Sequence, residues 1–154
     1  MDPKNSSPVL LLKEADTQRT LPIWIGVYEA NAIATCLAGI ESPRPMTHDL
    51  LHSALLKAGF SIKRVVITEL RDNTFYANIE LSSSAGKLEV DSRPSDAIAL
   101  AVRAQSPIFV SEAVLEQSAI DLSTLEIDEN LTEKDELLEM LEKMDPEDYS
   151  KYKM

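Results

Sequence analysis

The chain has 154 residues, 44% of them hydrophobic, and a formal net charge of −11, enough apolar material for one folded domain and too much for a wholly disordered chain. No apolar run approaches the roughly 20 residues that span a bilayer, and MDPKNSSPVLLLKEAD lacks the basic start, long apolar middle and small-residue cleavage site of a secretion signal. A single cysteine, Cys36, permits no internal disulfide, so a reducing cytoplasm is the expected compartment.

SPVLLLKE reads as a buried strand, ADTQRT as a polar turn and LPIWIG as a second strand of the same hairpin. Pro22 argues for an edge or strand-start position there. YEANAIATCLAGI switches to helical spacing, with Ala30, Ile33, Ala34 and Leu37 on one face. ESPRPM breaks that helix. THDLLHSALLKAG forms the next, with Thr47 as expected N-cap, Gly59 just past its end, and Leu50, Leu51, Ala54, Leu55 and Ala58 as its core-facing stripe. FSIKRVVITEL is a strand and RDNT a tight turn. FYANIEL alternates, putting Phe75, Ala77, Ile79 and Leu81 on one face. SSSAGK turns the chain into KLEVD, where Leu88 and Val90 are expected to face the same core.

A nearly all-apolar helix over about residues 95–104 follows and should be largely buried. PIFV is a short strand, and SEAVLEQSA a short helix capped by Ser111. The tail TEKDELLEMLEKM is a separate acidic helix whose Thr132 and Asp135 approximate a capping box and whose Leu137, Leu138 and Leu141 offer a side for a protein partner. Hairpins interleaved with helices predict an α+β fold: a compact domain over residues 1–123 and a helical tail over 124–154.

The charge is uneven. Residues 124–154 hold 11 acids and 4 bases, so most of the net −11 lies in the tail. Neither part carries the basic footprint of a nonspecific nucleic-acid binder, so nucleic-acid chemistry here needs a local basic patch, a metal ion or a partner.

Three constellations could carry chemistry. If Leu81 faces Leu88 across the hairpin, Glu80 opposes Glu89 and Asn78 opposes Asp91. Opposed like charges are destabilising, so Lys63, Arg64, Lys87 or a divalent cation should offset them; otherwise this is a solvated strand face. His48 and His52 share one helix face at zinc-compatible spacing beside Asp49, but no second motif supports a zinc site, and His48 alone, in a first turn, suits acid–base or anion-binding work. In DSRPSD, a cap by Ser92 or Ser95, Pro94 in the first turn and Asp96 on the helix dipole explain everything except Arg93, whose charge is unfavourable at a helix N-terminus. Arg93 is accounted for by a paired acid or by a phosphate. Arg44, in SPRPMTHD, is a second Arg–Pro step before a second helix. Cys36 and Trp24 read as core residues.

Taken in order and spacing, LPIWIG, YEANAIA, PRPMTHDLL, VVITEL, NTFYA and DSRPSDAIALAVR…PIFV resemble the bifunctional nuclease domain family over about residues 8–122. The resemblance implies a compact α+β domain with nuclease activity on RNA and DNA. Carried over position by position, the family's polar motif residues fall on Glu29, Arg44, Thr47, His48, Asp49, Asp91, Arg93, Ser95 and Asp96. Family members usually have an additional leading strand, so an open sheet edge, or one covered in a homo-oligomer, is expected here.

Two functions compete. The first is a metal-assisted phosphodiester hydrolase. Its catalytic residues would be His48, Asp49, Asp91 and Asp96, and Asp91, Asp96 and Glu29 would hold Mg²⁺ or Mn²⁺. Arg44, Arg93, Thr47 and Ser95 would bind the RNA or DNA. The second is a noncatalytic regulatory module in which the same charges are structural pairs. The two differ in whether these residues converge on an open cleft.

Overall fold

A computed structural model describes residues 7–121. The acidic tail helix and the boundary between residues 123 and 124 expected from the sequence lie outside the described residues. In chain order, β1 (Val9–Lys13) and β2 (Arg19–Trp24) form a hairpin, followed by helices α1 (Val27–Leu37) and α2 (Thr47–Lys57). A meander of β3 (Ser61–Arg71), β4 (Thr74–Ser83) and β5 (Gly86–Ser92) leads into α3 (Pro94–Ala104), and β6 (Ile108–Val110), α4 (Glu112–Ser118) and β7 (Ile120–Asp121) complete the order. This is an α+β domain with two sheets, ordered β1-β2-β7 and β5-β4-β3-β6. All strand pairs are antiparallel except β3 with β6, to which α3 leads from β5 at the opposite edge of the sheet. No helix among the described residues is long and apolar enough to cross a membrane.

The hairpin registers follow from turn chemistry and pleat. Asp72 and Asn73 both adopt positive φ between β3 and β4, the conformation a tight hairpin turn requires and one these residue types tolerate. Across β4 and β5, Leu81 faces Leu88, Glu80 faces Glu89 and Asn78 faces Asp91, as the alternation implies. Arg64 offsets the opposed glutamates: its Nε donates to Glu80 at 2.6 Å, and its charge also acts on Glu89. The Arg64 guanidinium in turn stacks 5.3 Å from the centre of the Phe109 ring.

Pro22 sits in the middle strand of the first sheet, not at an edge of it. Its backbone costs nothing there because β7 pairs only with Arg19 and Thr20, leaving β2 one-sided beyond that point. Arg19 fastens this sheet to the rest, donating to Glu14 at 2.7 Å and to Glu112 of α4 at 2.6 Å.

The core is built on α3. Ala97, Ile98, Ala99, Leu100 and Ala101 are all buried, against Val65, Ile67, Ala77, Ile79 and Leu81 of the sheet and Ile33 of α1. The alanines bring α3 close to its neighbours, while Ile98 and Leu100 each remove about 2 kcal/mol worth of apolar surface from water. Ser95, expected as a binding residue or a cap, is buried as well. Arg93 holds the N-cap position, because Pro94 at the first helical position forces its predecessor into extended backbone. At α2 the N-cap is Met46, not Thr47.

Two expectations about the core are corrected. No residue of α2 is fully buried. Its leucine stripe is largely uncovered, with Leu50 61% exposed and only Leu55 and His52 partly covered along it. Leu88 and Val90 share the pleat face of Leu81 and Ile79, yet are 51% and 43% exposed. Helix α3 covers β3 and β4 but does not extend over the edge strand, so the right periodicity ends in solvent.

Leu100→Ala is therefore expected to lower the unfolding free energy by about 2–5 kcal/mol, while Leu50→Ala changes it by less than about 0.5 kcal/mol. Urea unfolding of the two variants checks this, and a large loss for Leu50→Ala would place α2 in the core.

Candidate active site

Two helix N-termini supply the site. At α2, the extended Met46 donates its backbone N–H to Asp49 Oδ2 at 3.0 Å, half of a capping box. This fixes Asp49 at the third helical position and His48 at the second. At α3, Pro94 opens the helix and Asp96 likewise takes the third position. Both carboxylates thus lie where the helix dipole favours negative charge, and both face across to a partner from elsewhere.

The two ends meet. His48 Nε2 lies 2.8 Å from Asp96 Oδ1, and the His48 side chain is only 13% exposed. Arg93 Nε donates to Asp96 Oδ2 at 2.8 Å, and its Nη2 reaches Glu29 of α1 at 3.3 Å. Asp96 is pulled up by burial, but the hydrogen bonds to His48 and from Arg93 prevail and hold its carboxyl below the usual range. With Nε2 directed at Asp96, His48 keeps Nδ1 without a hydrogen-bond partner among the described residues, and so does Arg93 with Nη1.

A second charged group lies behind the first. Arg103, in the last turn of α3, is 8% exposed and donates to Asp49 Oδ1 at 2.7 Å, to the Ala99 carbonyl at 2.8 Å and to the Ala32 carbonyl of α1 at 3.2 Å. Arg103, together with the Met46 N–H, lowers the Asp49 carboxyl. Arg103 was not singled out from sequence. Its spacing of seven from Asp96 on one helix, the distance of two full turns, was the available signal.

These residues border an open groove of about 1200 Å³ whose walls include Glu29, Thr47, His48, Asp49, Asp91, Arg93, Asp96 and Arg103. Asp91 and Thr47 are exposed there, and their side chains make no hydrogen bond or ion pair with other described residues. Ser95 lies beneath the groove, buried. Arg44 is exposed and outside the groove wall, although its neighbours Pro43 and Pro45 belong to it. Cys36 and Tyr28 also contribute to the lining.

The donor set does not fit the expected metal ion. Asp96 spends one oxygen on His48 and the other on Arg93, and the guanidinium of Arg93 occupies the position between Asp96 and Glu29 where a cation would bind. Asp91 alone is left unengaged. Among the described residues no group of three or more His, Cys, Asp or Glu could hold a metal ion, which also leaves the His48–His52 pair without further ligands.

With this geometry in place, comparison with known proteins gives the family. The model of the bifunctional nuclease domain matches residues 10–123, and the chain belongs to that family. It is 43% identical over 153 residues to an uncharacterised protein of Mycobacterium tuberculosis, covering 96% of this chain and 90% of that protein. It is 26% identical over 117 residues to bifunctional nuclease 1 of Oryza sativa subsp. japonica, covering 72% of this chain and 35% of that protein. Bifunctional nuclease 2 of Arabidopsis thaliana is 28% identical over 109 residues, covering 69% and 33%. The match thus spans about a third of the plant proteins' length.

Two outcomes follow from the ion pairs. Asp49 and Asp96 have folded-state pKa values below those of the unfolded chain. Their stabilisation is present above the unfolded value of about 3.9 and is lost as pH falls through the folded value. Asp96→Asn should reduce stability at pH 7 but flatten its decline below about pH 4, measured by urea unfolding across pH; an unchanged acid profile would show Asp96 unpaired in solution. Arg103→Leu should speed backbone hydrogen exchange in α1 and α2 more than in β3 and β4, with about 1–3 kcal/mol lost from Asp49 and the two carbonyls.

Proposed function

We propose that this domain is a nuclease that cleaves phosphodiester bonds in the groove, with His48 transferring the proton and Arg93 contacting the phosphate. The observation that carries this reading is the chain His48–Asp96–Arg93 along one open groove. A neutral His48 that keeps its proton on Nε2, toward Asp96, presents a basic Nδ1. Asp96 then fixes the tautomer and stabilises the imidazolium that forms, the work a carboxylate does behind a catalytic histidine.

In the reaction, Nδ1 takes the proton of the attacking hydroxyl as the oxygen–phosphorus bond forms. The bond to the leaving oxygen breaks, and that oxygen is protonated from the His48 imidazolium or from solvent. Arg93 Nη1 donates to the phosphoryl oxygen that gains charge. Asp91, an exposed residue of the lining, would orient the nucleophile. Asp49 acts indirectly, holding Arg103 and the first turn of α2, and so His48, in position. No step is assigned to a metal ion, because two of the three carboxylates that would bind it, Asp96 and Glu29, are engaged by Arg93 and His48. RNA is the favoured substrate on this chemistry, since its 2′-hydroxyl supplies the nucleophile internally.

The alternative of a noncatalytic interaction module draws on one observation: Arg93 is already neutralised by Asp96 and Glu29 in a chain of net charge −11, which repels a polyanion at long range.

Purified wild type and variants, prepared identically, separate the two on single-stranded RNA and DNA. His48→Ala is expected to lower the rate by roughly 10²-fold or more, and Asp96→Asn by a similar factor. Asp91→Asn should have the smaller effect, and RNA cleavage should persist with chelator present. Equal activity in all preparations would mark a contaminating nuclease and favour the interaction module; loss of activity with chelator would return the metal-assisted mechanism.

A further inference from the structure

We propose that the open edge of β5 pairs with the same edge of a second copy of this chain, joining two four-stranded sheets into one of eight strands about a two-fold axis at Leu88. This inference is independent of the nuclease reading.

Strand β5 hydrogen-bonds only to β4, so one whole side of its backbone has no strand partner among the described residues. Such edges pair with other chains unless they are blunted by proline, charge, a bulge or a covering element; the charges of this edge, Lys87, Glu89 and Asp91, oppose most partners but not a complementary one. Here β5 contains no proline, and its pairing with β4 runs without a register shift over seven residue pairs from Ala77↔Ser92 to Ser83↔Gly86. The β3–β4 pairing, by contrast, carries two irregularities. The edge is therefore regular, and it exposes apolar side chains: Leu88 and Val90 are half uncovered although their cross-strand partners Leu81 and Ile79 are buried.

The occupant is identified by charge. Among the described residues neither Lys87 nor Glu89 forms an ion pair, and Glu89 lies opposite Glu80. An antiparallel pair keeps side chains facing their own kind of surface only if the register moves in steps of two. Centred on Leu88, the self-pairing sets Leu88 against Leu88, Val90 against Gly86, and Lys87 against Glu89 of the second copy, the last contact occurring twice. Both charges then gain a direct partner, and Glu89, which Arg64 reaches only through its field, gains an ion pair. Centred on Glu89, the pairing would set Lys87 against Asp91 but would also oppose two glutamates at the axis; centred on Val90, it would oppose Glu89 to Asp91. Of these registers, the one centred on Leu88 opposes no like charges.

The pairing has a consequence for the groove. Val90 and Asp91 form part of the groove wall, as does Leu51 of α2. In the two-fold pair, the two grooves open beside the shared edge.

Sedimentation of the full chain tests this. Wild type should be a dimer. Lys87→Glu and Glu89→Lys should each weaken it at least about tenfold, by opposing like charges at two places. The double variant, with the charges exchanged, should recover wild-type association. All forms should keep the same circular dichroism, since both side chains are exposed. In wild type, the outward amides of β5 should be protected from hydrogen exchange in a concentration-dependent way, a readout that needs no variant. A monomer at roughly 100 μM, fast exchange along β5 at all concentrations, or a dimer indifferent to both single variants would overturn the proposal. Failure of the double variant to recover would overturn the register centred on Leu88.

Discussion

The guanidinium of Arg103 joins three helices, one of which, α2, apolar packing alone would leave loose. Helix α2 buries no residue fully, so a hydrophobic seam does not hold it to the body of the domain. Two polar ties from its first turn do so: Asp49 to Arg103, and His48 to Asp96. Both end on α3, the most buried helix, whose packing against the sheet fixes their position. Arg103 also binds a carbonyl of α1, so the three helices share one nearly buried charge. Removing one partner of such a group costs more than the pair contributes, because a desolvated charge is left behind. The groove between α1, α2 and β5 keeps its shape on this account.

The same logic orders the groove itself. Glu29, Arg93, Asp96 and His48 form an alternating sequence of acid and base, each touching the next. Within a chain of net charge −11, this alternation gives each acid of the wall a neighbouring base. The depressed Asp96 carboxyl is the visible sign. It also explains why the acids, though numerous, do not form a metal cage: the arginine has taken the place of the cation, and a carboxylate accepting from both sides has no oxygen left to share.

The opposed glutamates of β4 and β5 show how the two faces of one strand divide the work. Toward the helices, Val90 borders the groove. Away from them, Arg64 bonds Glu80 directly and reaches Glu89 only through its field. Strand β5 is therefore a wall of the groove, the rim of the sheet and the surface offered to a second copy.

Much of this was legible in the sequence because it is set by local rules. Alternation in FYANIEL and KLEVD determined the register of β4 and β5, including Glu80 against Glu89, since a one-residue slip would have turned every apolar side chain outward. Gly59 with positive φ ended α2 as expected, and the unexplained charge of Arg93 beside Pro94 marked a site because a cation at a helix N-terminus needs an acid or an anion to justify it. What only the tertiary structure decided is which apolar stripe is covered. The leucines of α2 and the Leu88–Val90 pair have the right periodicity for a core, but periodicity assigns a face and not what packs against it; α3 covers the centre of the sheet and stops short of both. Arg103 was hidden for the converse reason. In sequence it is a basic residue suited to a helix C-terminus, and its role arises only because α1 and the first turn of α2, more than 50 residues away along the chain, close over it.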